Sequence, residues 1–294
     1  MREITRGYIE HLVEIKGISK NTQISYNNDL NKFISFLDEQ GIGSFKKVSE
    51  ITVNGYILEM EREGRSAATV ARNIVVLRSF FSYLLKQRKI EWDPMEKIKA
   101  PKVDKKDVMI LSIEQVTELL DKPNTTMPRG MRDRALLELI YATGMKVSEI
   151  ADVKVSDIDL ERSIVYCTTD KKVRLVPFGS QAKEALVEYL SVGRKAILQD
   201  KDTDELFINR NGCPLSRQGI WKIIKSYGSE IGLENELTPQ VLRYSVAVHM
   251  LENGASVKTV GEMLAFSDAS FIQFYAKTKE VKVLQEYKKS HPRA

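Results

Sequence analysis

Apolar residues recur at helical spacing through the first hundred residues, and no convincing strand breaks the pattern. Ile4, Tyr8, Leu12 and Ile15 fall on one face, as do Tyr26, Leu30, Phe33, Ile34 and Leu37. Ser19 and Asn21 are N-cap candidates for the second of these helices, and Gly41 closes it. A third helix fits Thr52 to Glu63. A fourth starts near Ser66 and carries Val70, Ile74, Val75, Leu77, Phe80, Phe81 and Leu84 as a broad buried stripe. Four or five packed helices are expected.

The run from 92 to 108 has two prolines, dense charge and no sustained amphipathic face. Proline removes a donor and restrains its predecessor, so the run reads as a partly extended linker. The remainder of the chain is mixed. Ser112 caps a helix through Val116 and Leu120, and Arg132 to Thr143 is strongly apolar. Two β-rich runs, Ser163–Thr168 and Val173–Phe178, are joined by Asp170, Lys171 and Lys172 as a hairpin. Helices are expected at Gln181–Leu198, Ser216–Ile231, Pro239–Glu252 and Ser256–Leu264. The third of these has Thr238 as cap, proline at its first position and Gly254 just past its end. The expected fold is mainly α with a small antiparallel β-sheet (α+β). A helical domain spans 1–91, a linker 92–108 and a second domain 109–294.

Composition narrows the function classes. With 43% apolar and 29% charged residues the chain suits a globular protein with a substantial core. The net charge of +5 permits a polyanionic partner without demanding one. Cys167 and Cys213 lack metal-ligand or redox spacing and read as ordinary thiols. No metal or other cofactor is expected. The N-terminus has no apolar leader, and no run approaches membrane-spanning length, so a cytoplasmic location and no membrane partner are expected.

The motifs near the C-terminus are the most specific. Leu237-Thr-Pro-Gln-Val-Leu-Arg-Tyr244 and Leu264-Ala-Phe-Ser267, with Tyr275 nine residues beyond Phe266, resemble the signature of the tyrosine recombinases, the phage integrases and Xer-type enzymes. That family shows His-x-Leu-Arg-His, then Leu-Gly-His-Ser, then a nucleophilic tyrosine. Tyr141-Ala-Thr-Gly-Met-Lys-Val-Ser-Glu149 is similar to its Ala-Thr-Gly-Leu-Arg-Val-Ser-Glu box. Ser19–Leu30 and Ser66–Phe81 are similar to helices of its core-binding domain, Trp92-Asp-Pro94 and Ala100-Pro-Lys102 to its linker, and His291–Ala294 to Xer-type tails. The resemblance implies a two-domain DNA clamp, a core-binding domain followed by a catalytic-type domain.

It also implies a chemistry. A tyrosine attacks a backbone phosphate, leaving a phosphotyrosyl link and a free 5′-hydroxyl, while cations and donors hold the phosphate oxygens. Carried over by position, Tyr275 is the nucleophile and Arg243 one of the two arginines. Lys146 stands where the other arginine is expected and lacks its planar fork. Thr169 stands at the hairpin lysine, with Lys171 and Lys172 close by. Gln240, Tyr244 and Phe266 stand at three histidine positions. Losing one preorganised donor costs about 3–4 kcal/mol, so two independent defects reduce turnover by roughly 10⁴ or more. The resemblance therefore implies a DNA-binding protein with impaired cleavage. A slow recombinase using Tyr275, Arg243 and Lys146 is the alternative, and an interaction protein without DNA affinity the third reading.

Several residues carry a bland reading beside the functional one. Tyr275 sits in an aromatic-rich segment that packing alone would explain. Arg243 lies on an otherwise apolar helix and suits either a phosphate or a structural carboxylate such as Glu149. His249 belongs to an apolar stripe as a core histidine, and Trp92 and Trp221 read as packing anchors. Arg72, Arg78, Lys86, Arg88 and Lys89 on one helix, and Arg217, Lys222 and Lys225 on another, are candidates for phosphate contacts, or simply solvated faces. Val281, Leu284 and Tyr287 share one face after Tyr275. Family assembly by exchange of this helix implies a homo-oligomer on DNA or docking onto an active recombinase.

Overall fold

The computed structural model describes residues 1–103, 109–169, 172–199 and 201–266; of Thr169 and Lys172 only the backbone is described. Tyr275, Lys171 and the expected exchange helix lie outside the described residues. The chain forms two compact units that divide at Lys106/Asp107.

The first unit holds α1 (Arg2–Lys16), α2 (Lys20–Glu39), α3 (Glu50–Arg62) and α4 (Ala67–Lys86). Each of the last three begins at a serine whose hydroxyl accepts a first-turn N–H: Ser19 from Thr22, Ser49 from Thr52, Ser66 from Thr69. Ser19, not Asn21, is thus the cap of α2. Between these caps the apolar stripes meet in an aromatic core. Phe80 lies edge-on to Tyr8 at 5.2 Å and to Phe45 at 4.9 Å, and both phenylalanines and the tyrosine are almost fully buried. Ile15 and Val75 do not belong to it: at 69% and 53% exposure they sit where the stripe rotates past the core edge.

The structure corrects two further expectations. The stretch from 92 is not linker throughout, because Ile90, Met95 and Ile98 are buried in this core. Arg78, expected as a phosphate contact, donates from Nη2 to Ile98 O at 2.6 Å and so ties that stretch down. And α4 is long and apolar enough to cross a membrane, contrary to the expectation from sequence. Val70, Ile74, Leu77, Phe80, Phe81 and Leu84 explain its composition differently, since all are buried in the unit's core.

The second unit is built around α6 (Pro128–Thr143), preceded by α5 (Ile113–Asp121). Proline at the first position starts α6 four residues earlier than the apolar run suggested. Its Ala135, Leu136, Leu137, Leu139 and Ile140 are at most 1% exposed. Burial of each leucine or isoleucine among them contributes roughly 1.5–3 kcal/mol. A short α7 (Val147–Asp152) leads to a sheet of β1 (Ile158–Asp159), β2 (Ile164–Thr169) and β3 (Lys172–Pro177), in that order and antiparallel. Within the expected hairpin, Val165 pairs with Val176 and Cys167 with Arg174. Val165, Cys167 and Val176 face the core.

The helix expected over 181–198 is α8 (Ser180–Glu188) and α9 (Arg194–Leu198), separated by a π-helical segment, Tyr189–Gly193. After α10 (Arg217–Glu230), α11 (Pro239–Glu252) has the boundaries its sequence announces. Thr238 Oγ1 accepts the Val241 N–H at 3.1 Å, and Gly254 follows the helix at φ +91°. α12 (Val257–Leu264) closes the described chain.

Candidate active site

The motif residues converge on Glu149. It is the third residue of α7, where its carboxylate accepts the Lys146 N–H at 2.8 Å and anchors the helix start. The same oxygen accepts Arg174 Nη2 of β3 at 3.0 Å, which fixes the hairpin to α7. Burial pushes the Glu149 carboxyl upward. The Lys146 amide, Arg174 and the charge of Arg243 more than offset it, and the group lies below the usual range. Cys167, across from Arg174, is pushed up to about 11 by burial and by Glu149, so it is no thiolate nucleophile. Sequence reasoning missed the Glu149–Arg174 tie, which depends on the hairpin folding back onto α7.

Arg243 is 2% exposed on α11. It donates from Nη1 to Gly144 O and from Nη2 to Leu264 O, joining the turn before Lys146 to the end of α12. Its guanidinium carbon lies 4.5 Å from the centre of the Phe266 ring. Phe266 in turn stacks on Tyr244 at 5.9 Å and 16°. Burial lowers Arg243 to about 10, with Glu149 opposing the shift, so it stays charged at neutral pH. Two backbone carbonyls accept N–H groups of Arg243, and Glu149 acts on it through charge.

Gly144 makes this clip possible. It ends α6 at φ +57°, and a Cβ there would stand 2.3 Å from Leu264 Cδ2, itself fully buried. Gly144→Ala is expected to destabilise the protein by about 2–3 kcal/mol, from a strained left-handed alanine and an overpacked leucine. Denaturant unfolding checks it; an unchanged midpoint would mean that α6 and α12 separate without cost.

The other sequence candidates are scattered. Lys146 and Gln240 are exposed, at the starts of α7 and α11. Thr169 ends β2 opposite Lys172. Tyr141 Oη and the Leu111 carbonyl flank His249, each 2.9 Å from a ring nitrogen, which makes His249 a core residue as its stripe implied. Arg72 is half-exposed and held at 2.7 Å by the buried Asp29. Arg217 and Lys222 are exposed on α10, as are Lys86, Arg88 and Lys89 at the end of α4. Trp92 and Trp221 are not packing anchors: they are 55% and 46% exposed, and Trp221 lies under Lys225, 5.5 Å from its ring centre. Among the described residues no group of three or more His, Cys, Asp or Glu could hold a metal ion.

Residues 110–281 match the phage integrase family, and residues 6–88 match the phage integrase N-terminal SAM-like domain. The chain is 38% identical to the tyrosine recombinase XerD of Staphylococcus haemolyticus, over 100% of both chains. It is 37% identical to the XerD of Halalkalibacterium halodurans, over 95% of this chain and 94% of that one. Among solved structures, the XerH site-specific recombinase bound to palindromic difH substrate after cleavage superposes with a TM-score of 0.72. Identity is 23%, over 93% of this chain and 80% of that one. A lambda integrase dimer bound to a COC′ core site gives 0.69 at 18% identity, over 93% and 94%. At these identities the structural likeness concerns the fold.

Proposed function

The chain belongs to the phage integrase family of tyrosine recombinases, and we propose that this member binds duplex DNA while its strand cleavage is strongly impaired. One observation carries the proposal. Arg243, the one phosphate-holding cation of the family pattern that matches outright, is buried, donates to two backbone carbonyls and lies against the Phe266 ring. A phosphate-gripping arginine needs its fork open to the ligand. Here two of its donors go to backbone carbonyls, and the ring of Phe266, at a histidine position of the family pattern, lies against the guanidinium. Lys146, exposed two residues after Gly144, supplies a point charge but no bidentate grip.

DNA binding is supported by the two domain matches and by DNA-bound relatives of the same fold. Such binding takes place in the cytoplasm, and assembly on DNA runs through the segment after Tyr275. Affinity for a duplex is expected to fall steeply from about 50 to about 200 mM salt, as counterions are released from each neutralised phosphate. Fluorescence anisotropy on a labelled duplex measures this. Undetectable or salt-insensitive binding would favour an interaction protein that has kept only the fold.

A second reading is that of a slow but active recombinase with Tyr275 as nucleophile and Arg243 and Lys146 as cations. The full-length identity to proteins named XerD favours it. Covalent trapping on nicked DNA separates the two.

A further inference from the structure

The second unit carries a basic hollow that shares no residue with the Glu149–Arg243 cluster. Arg129 and Arg132 of α6, Asn209 and Arg210, and Lys222 and Ser226 of α10 line it, and none of the lining residues is acidic. Arg132 is 3% exposed and locked. Its Nε and Nη2 donate to Asp133 Oδ1 at 2.9 and 2.6 Å, and its Nη1 donates to Ile208 O at 3.1 Å. Asp133 also accepts Tyr227 Oη at 3.1 Å. That carboxylate is thereby occupied, and it lies 3.9 Å from Arg129, whose side chain remains 74% exposed. Arg210 and Lys222 are exposed and make no ion pair among the described residues.

Two features fit this hollow to phosphate. The loop bearing Arg210 is preformed, since Asn209 Oδ1 accepts the N–H groups of Asn211 at 2.8 Å and Cys213 at 3.3 Å. And Met127, which precedes α6, makes no side-chain cap, so the positive end of a 16-residue helix adds to the field there. Arginine forks suit phosphate oxygens, and cations that outnumber the one nearby carboxylate, Asp133, lower the cost of bringing in repeated negative charge.

We propose that the hollow formed by Arg129, Arg210 and Lys222 is a phosphodiester-binding site that grips the backbone of duplex DNA. This rests on the proposed binding of duplex DNA and names part of the surface that performs it. An acidic protein segment is the rival occupant. It is disfavoured because it leaves the integrase-type domains without a role.

The test uses the full chain, anisotropy on a labelled duplex across the same salt range, and the double variant Arg210→Ala/Lys222→Ala. A charge-matched control, Lys16→Ala/Lys195→Ala, removes two exposed cations elsewhere. Circular dichroism confirms that both variants are folded. The expected result is weaker binding and a salt slope reduced by about 1.8 for Arg210→Ala/Lys222→Ala, from two lost contacts at about 0.9 each. The control keeps the parent slope. Steep binding by the parent with an equal slope in both double variants would overturn the proposal and leave DNA binding intact. No binding by the parent would remove both. A polyglutamate peptide held by the parent and released by Arg210→Ala/Lys222→Ala, with DNA affinity unchanged, would assign the hollow to an acidic segment instead.

Discussion

The combined variant Lys146→Arg, Thr169→Lys, Gln240→His, Tyr244→His and Phe266→His is expected to cleave a nicked suicide duplex at least about 10⁴-fold faster than the parent chain. The resemblance to the family assigns each of these positions to a cation, a general acid or a donor to the phosphate. Removing one such group costs about 10²–10³ in rate, and groups that act as a unit do not add. The expected gain is therefore that of about two independent defects and not the product of five. Phe266→His has two effects, since it restores a donor and takes away the ring that lies against the Arg243 guanidinium. Single-turnover cleavage on denaturing gels reads the rate. A folded combined variant no faster than the parent would mean that side-chain identity is not what limits cleavage.

Arg243→Ala is expected to cost about 3 kcal/mol of stability, a large effect for one residue of a motif known for chemistry. Two buried carbonyls, Gly144 O and Leu264 O, lose their donors, and hydrogen bonds to charged groups contribute about 1.5–3 kcal/mol each. Relief of the buried charge offsets part of that sum, while Glu149 loses a neighbouring cation. Were Arg243 a phosphate ligand facing solvent, its removal would change stability by no more than about 0.5 kcal/mol. Urea unfolding at neutral pH distinguishes the two: a midpoint unchanged from the parent would return Arg243 to the role of phosphate ligand.

The features legible in the sequence are those set by local chemistry. Serine caps and Thr238-Pro239 mark helix starts because the chemistry of an unsatisfied N–H is local, and Ser19, Ser66, Ser112 and Thr238 all serve that way; Ser49 does too, but the helix it starts was read from Thr52. The hairpin was readable for the same reason. Ile15, Val75 and Trp221 were misplaced because periodicity gives the face of a helix but not how far the neighbouring core extends. The linker was overextended because Met95 and Ile98 are isolated apolar residues among charges, and only the groove beside α4 gives them a place.

The site divides in the same way. The expectation for Lys146, Thr169, Gln240, Tyr244 and Phe266 rests on motif position alone. That Arg243 would turn to Gly144 O and Leu264 O could not, because its acceptors lie 99 and 21 residues away along the chain. Glu149 lay between: its place three residues after Lys146 marks a helix start that was not read from the sequence, and its tie to Arg174 required the hairpin to fold back.

The most direct measurement is made on one labelled nicked duplex, run in parallel on native and denaturing gels with the parent chain and with Tyr275→Phe. DNA binding without cleavage requires a shifted band on the native gel for both proteins and, after denaturation, only free DNA. A denaturation-resistant adduct that forms with the parent chain and vanishes in Tyr275→Phe would contradict it, and would identify the protein as a working recombinase.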